Sequence, residues 1–199
     1  MSGGVQAGQR SGQRRLPGNK GIDGDAGAGG GCGRRPALPP MPAQGLDRRL
    51  GRPARATGAV GQRFIQLLAN HPTFEIAALT ASDRSEGKTY ANAAHWVIEG
   101  DVPATLRGTT LLPTHPEAVL KAAPGVKAVF SALPNESAQN AEPAFAQAGM
   151  LVFSNASYYR MAEDVPLVIP EVTGNHLMLL KHQQQARGWA GGIICNDTK

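Results

Sequence analysis

The chain has 199 residues, with 20 Lys and Arg against 15 Asp and Glu, a length that suits one ordinary domain or one domain with an unstructured arm. No run approaches the roughly 18–20 apolar residues that span a bilayer, so an integral membrane protein is not expected. Two cysteines, Cys32 and Cys195, with no C-x-x-C and no clustered His, support neither a disulfide framework nor a zinc site.

Residues 1–55 read as a basic Gly/Arg/Pro-rich arm. They hold 14 of the 25 glycines and 10 of the 20 Lys and Arg but only 3 of the 15 acidic residues, so the chain's positive charge belongs to them. With almost no Leu, Ile, Val or Phe they cannot bury a core, and disorder is the expectation. The arm has no aromatic residue, which removes the stacking half of single-strand binding and makes nucleic acid a poor partner. Met1 to Lys20 lacks the apolar segment of a secretory signal, and the Gly and Pro content opposes the amphipathic helix of a mitochondrial presequence. A cytoplasmic protein is the expectation, with the mitochondrion a minor alternative.

At Ala56 the pattern changes. Residues 57–68 read as a glycine turn running into a helix with Val60, Phe64, Leu67 and Leu68 on one side, and 74–79 read as a strand followed by a polar loop, 82–88. Further strands are expected at 106–112, 128–131, 151–154, 167–169 and 192–195, with helices at 117–123, 136–148 and 175–187. Strands alternating with helices of about ten residues imply a Rossmann-like, doubly wound α/β fold with a mainly parallel sheet over 56–199. In such a fold the first glycine turn is where a dinucleotide is expected, because glycine admits a pyrophosphate and the following helix offers free N–H groups. Of a G-x-x-G-x-x-G pattern only Gly58 and Gly61 match, since Arg55 stands at the first position.

Five ordered segments carry a resemblance: Ala56-Thr57-Gly58-Ala59-Val60-Gly61-Gln62-Arg63-Phe64, Ala81-Ser82-Asp83-Arg84-Ser85-Glu86-Gly87-Lys88, Phe130-Ser131-Ala132-Leu133-Pro134, Phe153-Ser154-Asn155-Ala156, and Arg160-Met161 with 164–172. From Ala56 to about Asn196 the chain resembles the aspartate-semialdehyde dehydrogenases of fungal and archaeal type. That resemblance implies NADPH-dependent reduction of aspartyl phosphate to aspartate semialdehyde, on the route to lysine, threonine and methionine. It implies that Thr57, Gly58, Val60 and Gly61 bind the cofactor, with Gly58 and Gly61 holding the pyrophosphate. Ser82, Arg84, Ser85 and Lys88 would stand at the end of the second strand, where hydroxyls and a guanidinium suit the 2′-phosphate of NADP; the alternative is a solvated loop in which Asp83 pairs with Arg84. The backbone of Ser131, Ala132, Leu133 and Pro134 would line the nicotinamide side, and Asn155 and Arg160 would meet the acyl phosphate. For Arg160 the alternative is a surface pair with Glu163 or Asp164.

Two departures stand out. The family's central strand of the type V-G-V-L-G is replaced by Leu50-Gly51-Arg52-Pro53-Ala54-Arg55, where a proline and two arginines argue against a strand. The family's G-F-I-V-T-N-P-N-C-S is replaced by Gly191-Gly192-Ile193-Ile194-Cys195-Asn196-Asp197-Thr198-Lys199. Lys199 therefore stands at the nucleophile position, and Cys195 reads as a buried small apolar residue. The family's general base belongs to a second domain that would follow, so no catalytic residue is assigned and the chain as written is expected to be inactive. A full-length family subunit is a conceivable partner. Alternatives are a related acyl-phosphate or acyl-CoA reductase, such as malonyl-CoA reductase, and a nonenzymatic nucleotide-binding module with a basic interaction arm.

Overall fold

The computed structural model describes residues 53–54 and 56–197. Most of the arm, Cys32 and Lys199 lie outside the described residues. Six strands all pair in parallel: β1 (Pro53–Ala54), β2 (Leu79–Ala81), β3 (Leu111–Pro113), β4 (Ala128–Ser131), β5 (Leu151–Ser154) and β6 (Gly192–Cys195). The ladder runs β1-β4-β5-β6 on one side and β2-β3 on the other. Just beyond β1, the Ala56 N–H donates to the Thr80 carbonyl of β2 at 3.1 Å, so the order across the molecule is 3-2-1-4-5-6. The chain doubles back between β1 and β4, which is the switch point where such sheets take ligands at their carboxyl edge.

The first strand is a correction to the sequence reading. Pro53 pairs with Phe130 and Ala54 with Ser131, inside the stretch assigned to the arm. The first residue of a strand is where proline is tolerated, and a two-residue strand asks for few ladder donors.

The helices are α1 (Ala59–Leu68), α2 (Tyr90–Ala93), α3 (Pro116–Ala122), α4 (Asn135–Gln147), α5 (Pro170–Thr173) and α6 (Leu179–Arg187), with single 3-10 turns at Ala104–Leu106 and Gly174–Met178. The expected strand at 74–79 pairs only from Leu79, because the ladder with β3 begins there and Phe74 turns its ring edge-on to Phe130 at 6.0 Å instead. The one at 106–112 is a 3-10 turn and then Leu111–Pro113. Residues 167–169 make a single bridge to Cys195 on the outer side of β6. That strand edge is closed by Gln183, whose amide accepts from the Ile193 N–H at 2.7 Å and donates to the Ile193 carbonyl at 3.1 Å, as a neighbouring strand would.

Helix α1 buries a different side from the one its apolar spacing suggests. Gly61, Gln62, Ile65 and Leu68 face inward, whereas Val60 and Leu67 are 43% and 57% exposed. Gln62 decides this orientation. Its amide donates to the carbonyls of Thr57 and His95 and accepts from the Val97 N–H, satisfying three backbone groups of the surrounding loops.

Strand residues alternate faces. Val129, Val152 and Ile193, with Ser131, Ser154 and Cys195, point to the face covered by α4, where Phe145 and Ala146 complete a buried core. Phe130, Phe153 and Ile194 point the other way. Pro143 lies inside α4 and removes the N–H that would reach Gln139. The freed Gln139 carbonyl accepts from the Tyr159 hydroxyl at 2.7 Å, so the missing helix bond is replaced by a tie to the segment after β5.

Candidate nucleotide site

The carboxyl ends of the strands bring the sequence-assigned residues to one edge of the sheet. After β1, Gly58 takes the N-cap of α1 in an extended conformation. A glycine has no side chain with which to cap, so the first-turn N–H groups at the start of a ten-residue helix are available to an anion. The Thr57 carbonyl is held by Gln62 at 3.0 Å, which fixes the turn from beneath.

After β2 the chain folds into a tight turn in which the Ser82 carbonyl accepts from the N–H groups of Ser85 and Glu86 at 2.8 and 3.1 Å. Gly87 has φ +76°, a left-handed conformation that favours glycine, and lets the turn return so that Leu111 donates to the Lys88 carbonyl. Ser82 and Arg84 line a cavity of about 500 Å³, with Leu133 and Pro134 across from them and Thr114 and Ser137 on its rim. Arg84 is exposed and pairs with no carboxylate; the one ion pair among the described residues joins Arg187 to Asp164, with Arg187 Nη2 at 2.6 Å from Oδ1. The guanidinium and the hydroxyls of Ser82 and Ser137 are thus presented to a hollow large enough for part of a nucleotide, while the Thr114 hydroxyl donates to the Ala81 carbonyl at 3.1 Å.

Other assignments fall differently. Ser85 and Lys88 are in the same turn but do not line the cavity. Ser131 is fully buried with its hydroxyl committed to Glu142, and its carbonyl accepts from the Asn155 N–H, so it supports the site rather than facing it. Ala132 is half-buried at the start of the turn that carries Leu133 and Pro134. Val60 and Asn155 meet Asn196 around a second hollow on the same edge, beside α1. Arg160 donates to the Asn155 carbonyl at 3.4 Å, and its buried Nε has no partner among the described residues. Asp164 is taken by Arg187, whose guanidinium holds that carboxyl below its usual range.

Cys195 is fully buried at the end of β6. Burial, reinforced by the negative Glu142, pushes its thiol up to about 12. Such a thiol carries almost no thiolate at neutral pH and is not a nucleophile. No cluster of His, Cys, Asp and Glu among the described residues could hold a metal ion, and no helix there is long and apolar enough to cross a membrane. Thr114 and Ser137 were missed from sequence. The available signal was position, since one follows β3 directly and the other opens α4.

Residues 56–180 match the family model described as semialdehyde dehydrogenase, NAD binding domain. The chain belongs to the semialdehyde dehydrogenase family. Aspartate-semialdehyde dehydrogenase of Archaeoglobus fulgidus is 49% identical over 143 residues, covering 72% of this chain and 40% of that protein. The enzyme of Cryptococcus neoformans is 41% identical over 143 residues, 72% of this chain and 39% of the relative. Among solved structures, the Candida albicans aspartate-semialdehyde dehydrogenase with NADP has a TM-score of 0.65 at 40% identity, covering 74% of this chain and 42% of that one. The chain therefore spans about 40% of the length of the relatives it matches. The family's nucleotide-binding domain is the part that matches.

Proposed function

We propose that this chain is the NADP-binding part of an aspartate-semialdehyde dehydrogenase, with the cofactor lying along the carboxyl edge of the sheet between Gly58 and Pro134. The observation that carries this reading is the cavity in which Ser82 and Arg84 face Leu133 and Pro134 at the switch point of a 3-2-1-4-5-6 sheet. The donor set fits the group. The first-turn amides of α1 suit a pyrophosphate, and a guanidinium with neighbouring hydroxyls suits a 2′-phosphate. Asp83 is the one carboxylate lining that cavity, and it forms no ion pair with Arg84.

When bound, NADPH supplies the hydride for reducing an activated acyl group. The chain's own residues bind and orient: Gly58 and Gly61 admit the pyrophosphate, Leu133 and Pro134 wall the cleft, and Arg160 beside Asn155 offers a guanidinium to a phosphate. Aspartyl phosphate is the substrate this reading assigns to the whole protein, following the relatives' names. Cys195, sealed in the core, does not form the acyl bond. A full-length subunit of the family is the natural partner, and a reducing, cytoplasmic compartment suits a free buried thiol.

Calorimetric titration of the purified chain with NADPH tests the reading. Saturable binding that Arg84→Ala weakens by about 10- to 100-fold is expected, the range that a charge-assisted hydrogen bond of about 1.5–3 kcal/mol implies. A folded chain that binds no NADPH would contradict it.

A further inference from the structure

Helix α4 makes tertiary hydrogen bonds from three positions, through the side chains of Asn135 and Glu142 and the backbone carbonyl of Gln139. All three positions bond to the ends of β4 and β5 or to the segment that follows. Asn135 donates from Nδ2 to the Ser157 hydroxyl at 2.8 Å and accepts from the Ser157 N–H at 3.0 Å. The carbonyl of residue 139, freed by Pro143, accepts from Tyr159. Glu142, fully buried, uses one oxygen, Oε1, to accept from the Ser131 hydroxyl at 2.5 Å and the Ser154 hydroxyl at 2.7 Å. Ser154 Oγ in turn accepts from the Ala156 N–H at 3.1 Å, the first link of the turn beyond β5.

Ser131 and Ser154 are register partners, the last residues of adjacent strands. Beyond the first lies the turn with Leu133 and Pro134; beyond the second lie Asn155 and Arg160. Nothing in the fold requires an acid at 142, since the helix would cover the sheet equally well with an apolar residue, and a buried carboxyl costs several kcal/mol unless it is well satisfied. Its second oxygen, Oε2, has no partner among the described residues. Burial pushes this carboxyl above its ordinary range, opposed only by the two serine bonds. An acid kept in such a place, with one oxygen shared between two strand ends, serves as a bracket.

We propose that Glu142 is a positioning residue: through the Ser131 and Ser154 hydroxyls it locks the carboxyl ends of β4 and β5 together and so fixes the two turns, 132–134 and 155–160, on either side of the cleft. This inference rests on the nucleotide-binding reading for its functional consequence. The locking itself does not depend on that reading. The groups that face Glu142 are Ser131 on β4, Ser154 on β5, Cys195 on β6 and Tyr159 from the following turn; among the described residues no cation bonds to it.

The test combines hydrogen exchange of the free chain with NADPH affinity. Glu142→Gln retains an acceptor oxygen and the shape of the neutral acid, whereas Glu142→Ala removes the bracket. Segments 131–135 and 155–160 exchange together at least 10-fold faster in Glu142→Ala, and Glu142→Gln restores wild-type exchange. NADPH affinity falls at least 10-fold in Glu142→Ala and stays within about twofold in Glu142→Gln. Should Glu142→Ala not fold, the paired change Ser131→Ala with Ser154→Ala removes the donors instead and gives the same joint loosening. Loosening of only one segment, of neither, or equal loosening in Glu142→Gln overturns the bracket. Joint loosening with unchanged NADPH affinity overturns its link to the cleft. A wild-type chain that binds no NADPH refutes the nucleotide reading, and the exchange result still decides the bracket.

Discussion

The two faces of the β4–β5–β6 sheet are built from the same three strands and behave in opposite ways. On the α4 face, Val129, Val152 and Ile193 are fully or almost fully buried against Phe145 and Ala146, and the layer above them is small and polar, with Ser131, Ser154 and Cys195 under Glu142. On the other face Phe130 stacks on Phe153 at 5.3 Å and leans on Phe64 at 5.6 Å, forming the floor of an apolar groove of about 480 Å³ between α1 and the Pro170–Thr173 helix. Among the described residues nothing fills that groove. Period-two alternation alone gives both faces an apolar row; what separates them is whether a helix lies on top. The sealed face holds a buried acid with one oxygen, Oε1, fixed by two serine hydroxyls, while the aromatic face stays adaptable and contributes less to stability than its composition suggests.

The largest expected effect is on the sealed face. Phe145→Ala deletes a side chain 1% exposed and should cost about 3–5 kcal/mol in denaturant unfolding. Phe153→Ala, half-buried on the groove floor, should cost less than half as much. Equal costs would mean that the groove is filled in solution.

Glu142 gives the comparison a pH dependence. Its folded-state value is raised above the ordinary one near 4.5, so between those values the folded chain binds more protons than the unfolded chain. Its presence therefore lowers stability as pH rises through that window. Glu142→Gln should be more stable than wild type at pH 8, with the gap closing as pH falls through that window towards about 4.5; a constant gap would show that the carboxyl is not perturbed. The same sealed face predicts an inert thiol. In a Cys32→Ser background Cys195 should react with a disulfide reagent only at the global unfolding rate, and a fast reaction in the native state would mean that the face opens locally.

Two smaller effects sharpen the contrast. An anilinonaphthalene sulfonate probe should brighten in the aromatic groove, and Phe64→Asp should abolish most of that signal while shifting stability by about 1 kcal/mol or less. Asp164→Asn, which breaks the partly exposed pair with Arg187, should cost about 1 kcal/mol near neutrality, with the difference shrinking as pH falls through the lowered carboxyl value. A loss independent of pH would place the effect in packing instead.

Much of this architecture was legible in the residues. Ala128–Ser131, Leu151–Ser154 and Gly192–Cys195 were found bound for bound, because each is a short apolar run beside glycine, proline or polar breaks. Helices α3 and α4 were placed within one residue. The elements that escaped depend on tertiary partners. β1 exists because β4 offers it a ladder, despite Pro53. Phe74 leaves its strand pattern for the ring of Phe130. The inward face of α1 is set by Gln62, whose three backbone partners are up to 35 residues away. Among the residues that line the candidate cavity, Ser82, Arg84, Leu133 and Pro134 stand in motifs that the sequence shows. Glu142 does not, since a glutamate in a helix gives no sign that it will meet two serines from different strands.

The central claim is that three separated turns converge on one nucleotide. Hydrogen exchange of the chain with and without saturating NADPH tests it most directly. The account predicts that segments 58–62, 82–86 and 132–137 become protected together, with NADH protecting 82–86 less. Protection absent from all three, or confined to the aromatic groove, would contradict it.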